Sequence, residues 1–583
     1  MIEPRVYRAA FVPAVLAVML AMFSLESRPR PLPQGLAADV LFDGRQAAAT
    51  ANTIAAREPD RRAGTTGDRA TATLVADTFT DRGFTVERDA FRSQDRDLVN
   101  VVGRRPGRRR EQVVVVAARD ASGSPDRAAS AADTAALMEL ARVFEGRSSE
   151  RTLVLASVDG ARLGQAGARR LATRLTASGE DVMAVLVVSG LGTPSSEPPL
   201  VSWSGDTSRV GIGLERTAAE SVRLELETRV QGSSVAGQLS RLALPLGVGA
   251  QGVFLDAGLD SLRFSGSGEL AAGPRERLDP NRLGGLGRAT LRTLSALDTS
   301  GAPERGPRSY VTAVSQVLPG WVVSVLALAL LAPAVAASVD AFARARRRRE
   351  PLLPGLRRVG LVAAALAGGL ALAKLLTLTG ATPGAPQAAA DPSALPLDGP
   401  AAIVLGTVVA AVAGLLLALR RLLGNGDDPA GAGAACATAL VLCAACLALW
   451  VLDPYAALLA VPALHLWVLA MLLERRPPRR VRLLALLGGL LAPAVVSLYY
   501  LIALSMNPLH GAWYLFMSAM GGTPSLATLA VWVALAAAFA AVARSVLGPD
   551  PADEPPERRP LRAVPSYAGP GSLGGTESAL PRR

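Results

Sequence analysis

The chain has 583 residues, of which half are hydrophobic, with a mean hydropathy of +0.31 and a formal net charge of +12. This length exceeds one ordinary domain, and the apolar excess, concentrated after Trp321, argues against a wholly soluble protein. The arginines that carry the charge cluster beside apolar segments, so we expect no nucleic-acid partner.

Eight segments are apolar enough to cross a membrane as helices, which takes about 20 residues each. They are residues 9–25, 321–338, 359–379, 401–419, 434–452, 455–473, 483–506 and 526–543. No clear small-x-small cleavage site follows the first, which favours an uncleaved anchor over a signal peptide.

Arginine alternates between the loops of this predicted bundle. The loops after the second, fourth, sixth and eighth segments carry arginine, whereas residues 380–400, 453–454 and 507–524 contain neither Lys nor Arg. By the positive-inside rule both termini are cytoplasmic and the large domain is extracytoplasmic, which we expect at the plasma membrane. Membrane lipid is the expected partner of the arginine-rich loop, through headgroup contacts of Arg344, Arg346, Arg347, Arg348 and Arg349.

The chain therefore divides into four predicted parts. Residues 1–29 hold the cytoplasmic start and the anchor, residues 30–315 form an external domain, and residues 316–547 form a seven-helix bundle. Residues 548–583, rich in Pro, Gly, Ser and Arg, are expected to be a disordered cytoplasmic tail.

The external domain alternates strand and helix patterns. Predicted strands are 84–91, 97–104, 112–118, 152–158, 182–188 and 222–230, and predicted helices are 38–57, 67–82, 131–144, 161–176 and 282–297. Continuous apolar runs such as 113–116 indicate strands buried on both faces. The fold class is therefore α/β, with a mixed, largely parallel sheet flanked by helices, joined to an all-α transmembrane bundle.

An ordered series of motifs in this domain resembles the M28 zinc aminopeptidase family. The series comprises RRAGTTG at 61–67, LVNVVG at 98–103, DTAALMELAR at 133–142, VLASVDG at 154–160 with LGQAG at 163–167, FLDAGL at 254–259 and LDPNRL at 278–283. The resemblance spans most of residues 38–300 and implies a peptidase-like fold. It would also imply two zinc ions held by histidines and carboxylates, with a glutamate as general base.

When the family pattern is carried over position by position, few of its metal ligands and catalytic residues are present in this sequence. The first histidine falls at Ala118, the bridging aspartate near Ala129, and the paired glutamates at Ala161 and Arg162. The later aspartate falls near Ser189 and the last histidine near Gly266 or Ser267. Only the acid that orients the first histidine is retained, as Asp120.

The amino-acid composition of the external domain also argues against an intact catalytic site. Residues 30–315 contain no histidine, cysteine or lysine, which excludes a local Ser-His, Cys-His or Ser-Lys nucleophile. An arginine at a ligand position would place a fixed positive charge where cations should bind. We therefore expect a metal-free pseudopeptidase without cofactor, acting as a binding or scaffold module with a protein partner in the membrane.

Three other interpretations remain open at this point. The overall plan resembles the attachment subunit of the GPI transamidase, which would imply presentation of a substrate to a catalytic partner. A divergent membrane-bound M28-type zinc metallopeptidase would need ligands that the carry-over does not find. A transporter or lipid-handling protein is compatible with seven helices, although buried charges and repeats are lacking.

A few further residues, inside and outside the motif series, also have a predicted role. Asp159 and Gly160 are expected to form a turn after a strand. His465 is expected to bond to a neighbouring helix, and Lys374 to reach the outer end of its span. His510, Trp513 and Tyr514 are expected to be interfacial anchors in an external loop.

Overall fold

The computed structural model describes residues 3–34, 41–121, 128–228, 230, 232–272, 276–382, 384–386, 389–423, 431–472 and 477–547. The predicted tail, 548–583, lies outside these residues.

Within the described residues, ten strands form two sheets. In chain order the strands are β1 (Glu26–Ser27), β2 (Thr85–Ser93), β3 (Arg96–Arg105), β4 (Arg109–Ala118), β5 (Arg151–Val158), β6 (Val182–Ser189), β7 (Leu200–Val201), β8 (Ser261–Ser265), β9 (Tyr310–Ala313) and β10 (Gln316–Pro319). A seven-stranded sheet has the order β2-β3-β5-β4-β6-β8-β7, and a small sheet has the order β1-β10-β9. The pairs β5-β4, β4-β6 and β6-β8 are parallel and the remaining pairs of the large sheet are antiparallel.

Helices cover both faces of the large sheet. They are α3 (Gly44–Arg57), α4 (Thr66–Asp81), α5 (Ala128–Val143), α6 (Ala166–Ala177), α7 (Ile212–Leu226), α9 (Ala250–Asp256) and α10 (Pro280–Thr299). Helix α8 (Val235–Ala243) packs against β9 and the bundle instead, and α1 (Pro4–Ala9) and α2 (Val12–Phe23) form the anchor. The valines of β4 are almost fully buried because both faces are covered. The predicted mixed sheet flanked by helices is confirmed.

Local signals fix where these helices begin. The carboxylate of Asp43 accepts hydrogen bonds from the backbone N–H groups of Arg45 and Gln46 at the start of α3. Asp279 does the same at the start of α10, where Pro280 occupies the first helical position. Both are N-caps, which satisfy backbone donors that the helix itself leaves without an acceptor.

One predicted strand is wrong, and five strands of the described residues were not predicted, namely β1, β7, β8, β9 and β10. Residues 222–230 were predicted as a strand from alternating apolar residues, but residues 212–226 form α7. Leu214, Ala218 and Val222 are buried at a spacing of four, while Leu224 is exposed, so the helical period is the one that the fold uses. Strand β8, which lies between β6 and the edge strand β7, is short and contains the buried Arg263, which hid it from a search for apolar runs.

The second half of the chain is a helical bundle. Its helices are α11 (Gly320–Arg347), α12 (Leu353–Leu378), α13 (Gly399–Leu423), α14 (Ala432–Leu452), α15 (Pro454–Leu472), α16 (Arg479–Gly489), α17 (Leu491–Ala503), α18 (Pro508–Gly521) and α19 (Leu526–Leu547). Within the described residues eight helical segments are long and apolar enough to cross a membrane, with α1–α2 counted as one and α16–α17 as another. They coincide with the eight predicted segments.

The loop predicted at 507–524 is a helix. Trp513 and Tyr514 of α18 are fully buried, so the prediction that they are interfacial anchors is wrong. They pack in an apolar cluster with Leu246 and Val248 of the α/β domain and Tyr500 of α17. The physical reason is that the α/β domain and the polypeptide between α12 and α13 cover this end of the bundle and exclude solvent from it.

Candidate functional site

A small cavity opens where the parallel strands of the large sheet end. Its volume is about 110 Å³, and its floor is formed by Ala118 at the end of β4 and Ser189 at the end of β6. The carboxyl ends of parallel strands are where α/β folds generally place ligands. We call this space the strand-end cavity.

The structure brings together most of the positions that the resemblance singled out. Ala118, Asp120, Ala161, Arg162 and Ser189 all line the strand-end cavity. Ala129 is not among the lining residues, and it is buried inside α5. Most of the carried-over positions therefore lie at one site, whereas Ala129 is buried in α5 and neither Gly266 nor Ser267 lines the cavity.

Asp120 is held by the backbone of the segment that carries Arg162. Its two carboxylate oxygens accept hydrogen bonds from the N–H groups of Ala161, at 2.9 Å, and Arg162, at 3.3 Å. Burial raises the pKa of Asp120 to about 6, although these hydrogen bonds oppose the rise. The carboxylate thus fixes a loop of the chain.

Asp133 is a second buried acid of the cavity that the sequence reasoning did not select. It lies one helical turn after Ala129 on α5, and its oxygens accept hydrogen bonds from Gly190 N at 2.7 Å and Leu191 N at 2.9 Å. Burial raises its pKa to about 6, against the effect of these bonds and of Arg263. The four-residue spacing from Ala129 is a signal that could have identified it.

Two arginines complete the polar lining. Arg263 of β8 is buried, and its Nη2 donates to the carbonyl oxygens of Gly268 and Glu269, at 3.2 and 2.6 Å. Burial lowers the pKa of its guanidinium to about 10, opposed by the charges of Asp391 and Asp133. Arg162 stands at the rim and is partly exposed.

The chain itself covers the mouth of this cavity. Residues 389–398, which we call the cap loop, lie between α12 and α13 and place Ala389, Ala390, Asp391 and Ala394 in the lining. Arg162 Nη1 donates to Ser393 Oγ over 2.9 Å, and the backbone N–H of Ala271 donates to Asp391 over 2.8 Å. The α/β domain and the bundle therefore meet at the strand-end cavity.

The bundle fixes the cap loop from the opposite side. The hydroxyl of Tyr514 donates to the Ala390 carbonyl at 2.8 Å, and His510 Nε2 lies 3.0 Å from the Leu395 carbonyl. The side chain of Asp391 also accepts from the backbone N–H and hydroxyl of Ser393. Because it contacts both sides, the cap loop connects the α/β domain to the bundle.

The residues present do not fit the two-zinc centre that the resemblance would imply. No group of three or more His, Cys, Asp or Glu side chains arranged to hold a metal occurs among the described residues. Asp120 and Asp133 already accept two backbone N–H groups each, and two guanidinium groups share the cavity with them. Zinc favours imidazole, thiolate and free carboxylate ligands, and fixed cations in the site oppose it.

Asp159 lies beneath the cavity in a buried ion network. Arg119, fully buried, binds both oxygens of Asp68 at 2.9 and 3.0 Å and lies 3.5 Å from Asp159. The turn predicted at Asp159 and Gly160 is confirmed, since Gly160 has a φ of +72° and donates its N–H to the Asp159 carboxylate. Sequence reasoning missed Arg119, which sits between the predicted positions Ala118 and Asp120.

Polar groups inside the bundle make structural contacts. His465 Nε2 lies 2.9 Å from the Leu330 carbonyl and its Nδ1 lies 2.7 Å from the hydroxyl of Tyr7, so the predicted bond to a neighbouring helix is confirmed. Lys374 Nζ donates to the Met520 carbonyl of α18 at 2.9 Å. In the arginine-rich loop, Arg344 is paired with Asp340 at 2.7 Å, and lipid binding by this loop stays a prediction.

No family model matches the chain, and no curated protein matches it. Among solved structures it is similar to the Legionella pneumophila LapA aminopeptidase, with a TM-score of 0.37 and 13% identity over 46% of this chain and 72% of that one. A zinc aminopeptidase from Bacillus subtilis has a TM-score of 0.36 and 13% identity over 47% of this chain and 99% of that one.

A third match is a glutaminyl cyclase from an Acidobacteriales bacterium, with a TM-score of 0.34 and 14% identity over 47% of this chain and all of that one. At these identities the likeness concerns a peptidase-like fold alone. With TM-scores below 0.5, it carries no weight for activity, metal or substrate.

Proposed function

We propose that this membrane protein uses its peptidase-like α/β domain as a metal-free binding or scaffold module and does not hydrolyse peptides. The observation that carries the proposal is the hydrogen bond from Arg162 to the cap loop, at a position where the resemblance expects a general base or a metal ligand. A guanidinium stays protonated at any physiological pH, so it cannot accept a proton from water.

The other lining groups support the same proposal. Asp120 and Asp133, the two buried acids, each accept backbone N–H groups that tie neighbouring loops together. A carboxylate offers about four acceptor sites, and these bonds occupy two on each acid, which reduces its capacity to bind a metal or orient a water. At the same cavity, the hydrogen bonds of Arg162 with Ser393 and of Ala271 with Asp391 hold the α/β domain to the cap loop.

Such a domain, fixed to a bundle of membrane helices, is suited to present a partner protein at the membrane surface. The shared plan with the attachment subunit of the GPI transamidase is an analogy of architecture and adds no evidence for a common role. Plasma-membrane location, with the α/β domain outside and both termini inside, is part of this proposal and rests on the arginine distribution.

The test is an activity panel on the full-length protein in detergent. The protein is supplied with zinc and given chromogenic aminoacyl anilides, for aminopeptidase activity, and peptides with N-terminal glutamine, for cyclase activity. A zinc aminopeptidase in the same detergent is the positive control. We expect no turnover above buffer, whereas turnover that a chelator abolishes and zinc restores would overturn the proposal and favour the metallopeptidase alternative.

A further inference from the structure

A second, larger cavity lies where the α/β domain meets the end of α17. Its volume is about 610 Å³, and the α/β domain provides most of the lining, including Trp203 and Arg209. Tyr499 and Ala503 provide the side formed by the bundle. We call it the arginine cavity, because Arg28, Arg209, Arg216, Arg223 and Arg241 all line it.

Arg209 is the most deeply buried of the unpaired donors. It is 7% exposed, and its Nη1 donates to Gln238 Oε1 at 2.9 Å and to the Tyr310 carbonyl at 3.0 Å. Its guanidinium also lies 4.5 Å from the ring centre of Trp203 and 4.1 Å from that of Tyr310. These contacts fix the group, yet its Nε is buried with no hydrogen-bond partner.

Two other arginines of the cavity lack a hydrogen-bond acceptor at the same atom. The Nε atoms of Arg28 and Arg216 are also buried without a partner among the described residues. Burial lowers the pKa of the Arg28 guanidinium, and the charges of Arg216 and Arg209 add to this while Glu215 opposes it. Buried donors without an acceptor are costly, and three of them belong to arginines that line this one cavity.

The charges of the lining leave an excess of cations. Arg241 is paired with Glu269, and Arg223 is paired with Glu220 at 2.6 Å. Arg28, Arg209 and Arg216 then share the two remaining carboxylates, of which Glu215 lies 3.7 Å from Arg209.

The position of the cavity indicates where the anion comes from. Tyr499 and Ala503 belong to the last turns of α17, at the end of the apolar segment Arg479–Ala503. The hydroxyl of Tyr499 accepts a hydrogen bond from Arg241 Nε at 3.0 Å. Tyrosines at the ends of membrane-spanning helices lie at the level of lipid headgroups.

We propose that the arginine cavity binds the phosphate group of an anionic membrane lipid, with Arg28, Arg209 and Arg216 as the donors. Guanidinium groups bind phosphate oxygens through paired, charge-assisted hydrogen bonds, which suits donors held in fixed orientations. This site is separate from the strand-end cavity, and it stands whether or not the α/β domain has an enzymatic activity. It gives the α/β domain a lipid contact of its own, beside the anchor helix.

The experiment titrates the purified full-length protein in detergent and counts bound molecules by native mass spectrometry. Phosphatidylglycerol is the anionic lipid, phosphatidylcholine the lipid without net charge, and inorganic phosphate the soluble anion. The test variants are Arg28→Gln, Arg216→Gln and the double variant; Arg209, which packs between two rings, is left unchanged. Arg223→Gln is the matched control, because Arg223 lines the same cavity but is paired with Glu220.

We expect phosphatidylglycerol to bind more tightly than phosphatidylcholine, and the double variant to weaken it by about tenfold or more. The control should stay within about twofold, and all variants should keep the thermal unfolding midpoint of the parent. Equal binding of phosphatidylglycerol by parent and double variant would overturn the site. Inorganic phosphate that binds as tightly as the lipid, with the same loss in the double variant, would overturn the assignment to a lipid.

Discussion

Arg162 and Ser393, 231 positions apart in the sequence, are joined by a hydrogen bond of 2.9 Å between Nη1 and Oγ. The first belongs to the α/β domain and the second to the cap loop between two apolar helices. The contact attaches the α/β domain to the cap loop at a position that the resemblance assigned to a peptidase active site. We therefore expect Arg162 to have a structural role and no catalytic one.

Loss of this contact should loosen the cap loop. In Arg162→Ala, we expect amide hydrogen exchange in residues 389–398 to become roughly three- to tenfold faster, because one charge-assisted hydrogen bond is lost. The measurement is hydrogen–deuterium exchange read by mass spectrometry. Arg170→Ala is the control, since Arg170 pairs with Asp89 inside the α/β domain. Unchanged exchange in Arg162→Ala would show that the contact does not hold the loop.

The acids of the α/β domain should make it more stable in mild acid. Burial raises the pKa of Asp120, Asp133 and Asp260 to about 6 in the folded protein. Since the folded state then binds more protons than the unfolded state, stability is highest below the unfolded pKa and is lost as pH rises towards about 6.

We therefore expect the unfolding midpoint of the full-length protein to rise by several degrees between about pH 7 and pH 4.5. Below about pH 4 the trend should reverse, because Asp60, Asp89 and Glu220 have lowered pKa values and lose their hydrogen bonds to arginine when protonated. Asp133→Asn should flatten the rise. A midpoint that falls steadily from pH 7 would contradict this account.

Arg119 should be among the most sensitive positions of the α/β domain. Arg119→Met leaves the buried carboxylates of Asp68 and Asp159 without their cation, which costs about 3–5 kcal/mol. Arg92→Met, which removes an exposed arginine from β2, should cost less than about 0.5 kcal/mol. Denaturant unfolding of both variants is the measurement, and equal effects would show that the network is not a stabilising one.

The orientation in the membrane is testable because the three native cysteines are buried. A membrane-impermeant maleimide should label Arg92→Cys, in the α/β domain, on intact cells. It should label Arg421→Cys, at the end of α13, only after lysis. The opposite pattern would place the α/β domain in the cytoplasm.

Much of this fold could be predicted from the sequence, because its strongest signals are local. The apolar run of β4 and the eight apolar helices follow from residue type and period alone. The strand prediction for residues 222–230 was wrong because the apolar residues there fit both the alternation of a strand and the spacing of a helix. Only packing against the domain core selects α7.

The site could be predicted only in part, and the reason is again physical. The resemblance placed Asp120 and Arg162 at one site, as the structure does, and the four-residue spacing on α5 carried a usable signal for Asp133. By contrast, no local pattern links Asp391 or Ser393 to the α/β domain, because their contacts join distant parts of the chain. The burial of Trp513 was hidden for the same reason.

The measurement that tests the central claim most directly is the metal content of the full-length protein. The purified protein is incubated with zinc, dialysed, and analysed by inductively coupled plasma mass spectrometry beside a zinc aminopeptidase treated identically. The account predicts less than about 0.1 zinc per chain, because Arg162 and the engaged carboxylates leave no ligand set. One or two zinc ions per chain would contradict it and make the metallopeptidase alternative the leading one.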